Sequence, residues 1–184
     1  MPSIDIDQIT RIVAHHTGQD YTRVQALGTA LAGSQNAPGL DGVFNPDFRG
    51  PYVAMLLLAI ASGADATTAK AKAAHYYHLR STDPDLPAEA GELLEGFLTT
   101  FFDRQVTNYA RAAFHSELEV CTTVAAVRLM MHGTDGIVET NFIEADSDGA
   151  PSWDSDYMRH GSTIPARVLF RIASDIRELT SGAA

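Results

Sequence analysis

The apolar residues of this chain change period once, and that change fixes its fold class. From Ile6 to Phe102 they recur at helical spacing; from Leu118 to Ile143 they roughly alternate. Leu118, Val120, Val124, Val127, Leu129 and Met131 make the first alternating run, and Ile137 to Ile143 the second. Between them lies the turn cluster His132-Gly133-Thr134-Asp135-Gly136, with Asp135-Gly136 the hairpin-type dipeptide. The expected fold is α+β and mostly helical. A helix-turn-helix-like N-terminal lobe leads to a long helix, a small three-stranded antiparallel sheet and a C-terminal helix. The strands are predicted near 115–121, 124–131 and 137–143, and such a sheet needs a helix over its apolar face.

The helical part divides at its turn formers. Ile6, Ile9, Ile12 and Val13 share a face, Asp5 or Asp7 can cap its start, and Gly18 is a natural stop. Asp20 then caps a second helix carrying Val24, Leu27 and Leu31. Two short helices around Thr17-Gly18-Gln19 suit a helix-turn-helix, or any αα-hairpin in a helical core. Gly33 to Gly50 is rich in Gly, Asn and Pro and is read as a loop, in which Val43, Phe44 and Phe48 form a short wing or pin it to the core. Pro51 opens a third helix that is apolar nearly all round to Ile60 and ends at Gly63. A fourth, capped by Asp65, carries Ala69, Ala73, Tyr76 and Tyr77 on one face. The fifth has the paired stripe Leu93, Leu94, Phe97, Leu98, Phe101 and Phe102, with room to continue through Val106, Tyr109 and Ala113. Asp146 to Gly161 reads as an acidic loop containing Trp153. The last helix is predicted from Ser162 or Thr163, with Pro165 in its first turn and Ile164, Val168, Ile172, Ile176 and Leu179 buried.

Charge is segregated along the same axis. Residues 1–80 hold six Lys/Arg and six Asp/Glu, whereas 81–184 hold seven against seventeen, so the second half carries the whole net charge of −10. The break from Ser81 to Pro87 therefore separates a helical lobe, 1–80, from an acidic α+β lobe, 81–184, unless both share one continuous core. Phosphate repels the acidic part, which suits it to protein contact or dimerisation. The longest apolar stretch, Val53 to Ala61, is about half a bilayer span, so no membrane association is expected. The N-terminus has no signal-peptide pattern. The one cysteine, Cys121, excludes an internal disulfide and fits a reducing cytoplasm.

No catalytic pattern emerges. His15-His16 and His75-x-x-His78 are the clustered imidazoles, but zinc needs three or four converging ligands, and no Cys pair accompanies them. Asp146, Asp148, Asp154 and Asp156 lack calcium-loop spacing and read as a solvated acidic loop. Cys121 has no partner fixed by sequence that would activate it and reads as a core residue. Neither metal, cofactor nor enzymatic activity is expected. The second helix offers another chemistry. With Val24, Leu27 and Leu31 inward, Thr22, Arg23, Gln25, Ala26 and Thr29 point out. Arg and Gln read base edges, and Thr suits phosphate. Arg49 joins them as a candidate DNA contact, while Arg11, Lys70, Lys72 and Arg80 would add phosphate contacts.

Residues 5–61 resemble uncharacterised helix-turn-helix-like proteins of alphaproteobacterial phages and prophages. The resemblance rests on Ile12-Val13-Ala14 leading to Thr17-Gly18, then on Val24, Leu27 and Leu31, and on Arg49-Gly50 before Ala54-x-Leu56-Leu57-Leu58-Ala59. It implies a phage setting and a bacterial host cytoplasm. Two functions follow as expectations. One is a small DNA-binding transcription regulator whose acidic lobe dimerises or holds a partner. The other is an acidic protein-binding inhibitor of a host defence nucleoprotein complex, such as an anti-CRISPR. It would present Glu117, Glu119, Asp146, Asp148, Asp154 and Asp156 to a basic channel.

Overall fold

The centre of the molecule is a helix with no polar face. The computed structural model describes residues 5–32, 50–85, 89–103, 115–133, 136–144 and 160–181. In it, α3 (Gly50–Ala61) buries ten of its twelve residues, so every side of this helix meets another element. Around it lie α1 (Ile6–Thr17), α2 (Tyr21–Ala32), α4 (Ala69–Tyr77) and α5 (Ala90–Asp103). Each buried Leu on α3 contributes roughly 1.5–3 kcal/mol of transfer free energy, and a buried hydroxyl contact between Thr10 and Tyr52 at 3.4 Å adds a polar link from α1 to α3.

Local signals set the helix ends. Asp5 caps α1 in a capping box with Gln8, and Gly18 closes it in the left-handed region at φ 66°. Asp20 accepts from the Arg23 N–H at 3.0 Å, the N-cap geometry for α2. Asp65 caps the turn at residues 66–68, and α4 follows from Ala69 with Ala69, Ala73, Tyr76 and Tyr77 buried, the face read from the sequence.

The sheet corrects the expectation of three strands: it has five, all antiparallel, in the order β1-β4-β3-β2-β5. The three predicted strands are β2 (Glu117–Cys121), β3 (Ala126–Gly133) and β4 (Gly136–Ile143). β3 and β4 pair from Ala126↔Ile143 to Gly133↔Gly136, the hairpin that Asp135-Gly136 announced. The added strands sit at the two edges. β1 (Arg80–Ser81) pairs with β4, and β5 (Gly161–Pro165) pairs with β2. The last helix, α6 (Ala166–Ser181), consequently starts later than expected. Its buried residues are Ala166, Leu169, Ile172, Ala173 and Ile176, while Ile164 belongs to β5 and Leu179 is exposed. Pro165 ends a strand here instead of opening a helix.

One face of the sheet, with Leu118, Val120, Val127, Leu129, Phe142 and Ile164, joins the helices in a single hydrophobic cluster that runs from Ile9 to Ile176. The core is therefore continuous across residues 80 and 81, and β1 ties the end of the helical segment into the sheet. α6 closes the other side. Arg177 donates to the Phe101 and Phe102 carbonyls at 3.2 and 3.1 Å, satisfying the C-terminal end of α5. The predicted wing at Val43, Phe44 and Phe48, the continuation of α5 through Val106, Tyr109 and Ala113, and the loop around Trp153 lie outside the described residues.

Candidate functional site

The candidate surface is built from α2 outward. Val24, Leu27, Gly28 and Leu31 are buried, while Thr22, Arg23, Gln25, Ala26 and Thr29 are exposed. The inward face is fixed by close approach. A Cβ on Gly28 would stand 2.5 Å from the Tyr52 hydroxyl and 3.1 Å from Thr10 Oγ1, so only glycine lets α2 lie this near α1 and α3. Thr10 itself donates to the Ile6 carbonyl at 2.7 Å. A three-residue turn with Gly18 in the left-handed region sets the entry into α2.

The outward face carries little positive charge. Arg23 is its one cation, and its Nη1 donates to Gln19 Oε1 at 2.6 Å. Thr29 Oγ1 donates back to the Gln25 carbonyl at 2.9 Å. Beside the face stands Asp7, which accepts from Tyr21 Oη, from Arg11 Nε at 2.9 Å and from Gln25 Nε2 at 3.4 Å. The Tyr21 hydroxyl, then Arg11, hold the Asp7 carboxyl below its ordinary range, so it is ionised at neutral pH. Arg11 also lies over the Tyr21 ring at 4.6 Å and is spent on this cluster. Across 5–32 there are three Asp against two Arg, so phosphate attraction is weak here.

The other predicted contacts are dispersed. Arg49 lies outside the described residues, as do Asp146, Asp148, Asp154 and Asp156. Lys72 Nζ reaches the Ser62 carbonyl at 3.4 Å, and Arg80 sits on β1 at the far edge of the sheet. Glu117 and Glu119 do share the sheet face turned away from Leu118 and Val120, and both are half-buried. Glu119 is paired: Arg128 Nη2 meets its Oε2 at 2.6 Å, and Arg128 Nη1 lies 3.6 Å from Glu139. The arginine is opposite Glu119 in register, so the pair is a cross-strand contact that neutralises much of this acidic face.

Three of the four clustered imidazoles each face one carboxylate, and no two share a ligand. His16 meets Asp175 at 2.7 Å, His75 meets Glu144 at 3.4 Å and His78 meets Glu89 at 2.8 Å. Among the described residues no three His, Cys, Asp or Glu converge as a metal site, and no helix is long and apolar enough to cross a membrane. Cys121 is buried, with its carbonyl accepting from the Tyr76 hydroxyl at 2.8 Å. The Asp175 partner of His16 was invisible to sequence reading, because a pair 159 positions apart leaves no periodic trace. Comparison with protein-family models, curated proteins and solved structures finds no match for this chain.

Proposed function

We propose that this chain is a small DNA-binding regulator of phage or prophage derivation that acts as a dimer. What carries the reading is the division of α2 into an anchored side and a free side. Val24, Leu27, Gly28 and Leu31 hold the helix, and Thr22, Arg23, Gln25 and Thr29 stand in solvent on a rod reached through a short glycine turn. Arg and Gln on such a rod can address base edges in a major groove, and Thr the flanking phosphates. One guanidinium per rod is a thin electrostatic supply, so two copies at fixed spacing are needed for useful affinity. The inhibitor alternative draws less support, because Glu119 spends its charge on Arg128. A gel shift on DNA flanking the chain's own gene, at low salt, is the test. Retardation that R23A and Q25A both weaken is the expected result. A purified dimer that retards no DNA at about 50 mM salt removes the reading.

A further inference from the structure

A cavity of about 400 Å³ opens between the α1–α2 turn, the C-terminal end of α3, β5 and the start of α6. Its size falls in the range of small-molecule sites. Leu57, Ile60, Ile164 and Val168 give it an apolar wall, and Gln19, Arg23, Ser162 and Thr163 a polar one. Among the described residues Arg23 is the only Lys or Arg in the lining. No carboxylate among the described residues lies within ion-pair distance of it, and its one hydrogen bond there goes to the neutral Gln19. A guanidinium has five N–H donors, so most of its capacity is unspent. Two other polar side chains of the lining are already engaged: His16 with Asp175 at 2.7 Å, and Thr17 Oγ1 with the Val13 carbonyl at 2.7 Å. The β5 edge adds backbone groups. Thr122 N–H donates to the His160 carbonyl and Ala166 N–H to Ser116, so β5 turns its even-numbered residues to β2. The N–H and C=O of Thr163 therefore face away from β2.

We propose that this cavity binds a small monocarboxylate with an apolar body, of the medium-chain aliphatic type. The carboxylate takes the free fork of Arg23 in a bidentate pair, and the chain lies along Leu57, Ile60 and Val168. A single cation matches a single negative charge. A phosphate dianion or a polyanion meets the −10 net charge of the protein with too little compensation. The apolar wall selects against acetate. The site shares Arg23 with the DNA-binding reading but does not rest on it, since its ligand binds with no nucleic acid present.

The test titrates the full chain with sodium octanoate, 1-octanol, acetate and inorganic phosphate, followed by calorimetry and by amide shifts in NMR spectra. The expected result is saturable octanoate binding, about tenfold or more tighter than for the other three, with shifts centred on residues 16–23 and 161–168. R23Q lowers octanoate affinity by about tenfold and leaves the octanol response unchanged. V168F, which fills the cavity but keeps Arg23, abolishes binding while retaining the native amide spectrum. The proposal is overturned by absence of saturable octanoate binding up to about 10 mM, by equal affinity for octanoate and octanol, by phosphate binding more tightly, or by unchanged affinity in V168F.

Discussion

Two glycines on α5 show how strongly the meaning of a residue depends on its neighbours. A Cβ on Gly91 would lie 2.1–2.3 Å from three atoms of the Tyr77 ring, whereas one on Gly96 would meet nothing within 4 Å. Tyr77 cannot yield easily, because it is buried and donates to Glu95 at 2.5 Å. G91A is therefore expected to lower stability by about 1–3 kcal/mol through overpacking. G96A, on the exposed side, is expected to raise it by about 0.5–1 kcal/mol by restricting the unfolded chain. Urea unfolding, with unchanged m-values, reads both signs. Burial pushes the Glu95 carboxyl above its ordinary range, with the Tyr77 hydrogen bond opposing. A raised folded pKa means that the fold favours the protonated acid, so its contribution declines as pH rises through the carboxylate range. E95Q should gain stability relative to the parent as pH rises through the carboxylate range and beyond it. A constant difference across that interval would show that Glu95 titrates as if unfolded.

At the scale of elements, Asp65 gives the opposite pH slope. It accepts from Thr67 Oγ1 at 2.7 Å, from the Thr68 N–H at 2.8 Å and from Thr68 Oγ1 at 2.9 Å, in the turn that launches α4. These bonds, Thr67 foremost, hold its carboxyl down to about 2 from 3.8. The stabilisation is complete above the unfolded value and is lost as pH falls through the folded one. D65N should flatten that part of the acid limb, between about pH 4 and pH 2, in urea midpoints measured at each pH. The same elements show what the sequence could carry. Caps and turns are local chemistry, so Asp5, Gly18 and the hairpin between β3 and β4 were legible. β1 is two residues long, too short for any period. From sequence, residues 162–165 read as the start of a helix, because Pro165 suits a first helical turn. In the fold it pairs opposite Glu117, and its missing N–H falls on the open edge, where a strand tolerates proline. The outward side of α2 was legible from the spacing of Val24, Leu27 and Leu31. The cavity was not, since its walls come from three separate stretches of chain.

At the scale of the whole molecule, charge sets both the strength and the form of any response to DNA. The net −10 opposes approach to phosphate, and Arg23 is the one cation of the α2 face proposed to meet it. Few condensed ions are released, so the salt dependence must be shallow for a protein of this size. Each phosphate contact adds about 0.9 to the slope of log K against log salt. R23Q should then reduce the slope by about 1 per protomer. The same guanidinium borders the cavity, and it cannot form a bidentate pair with a carboxylate and a phosphate at once. Saturating octanoate should therefore weaken DNA binding by a factor similar to that of R23Q. By linkage, DNA should weaken octanoate binding by the same factor. In the R23Q background octanoate should have no further effect, because both perturbations remove one interaction. Gel shifts of parent and variant, each with and without octanoate, complete the cycle. An equal octanoate effect in both backgrounds would place the coupling in residues other than Arg23.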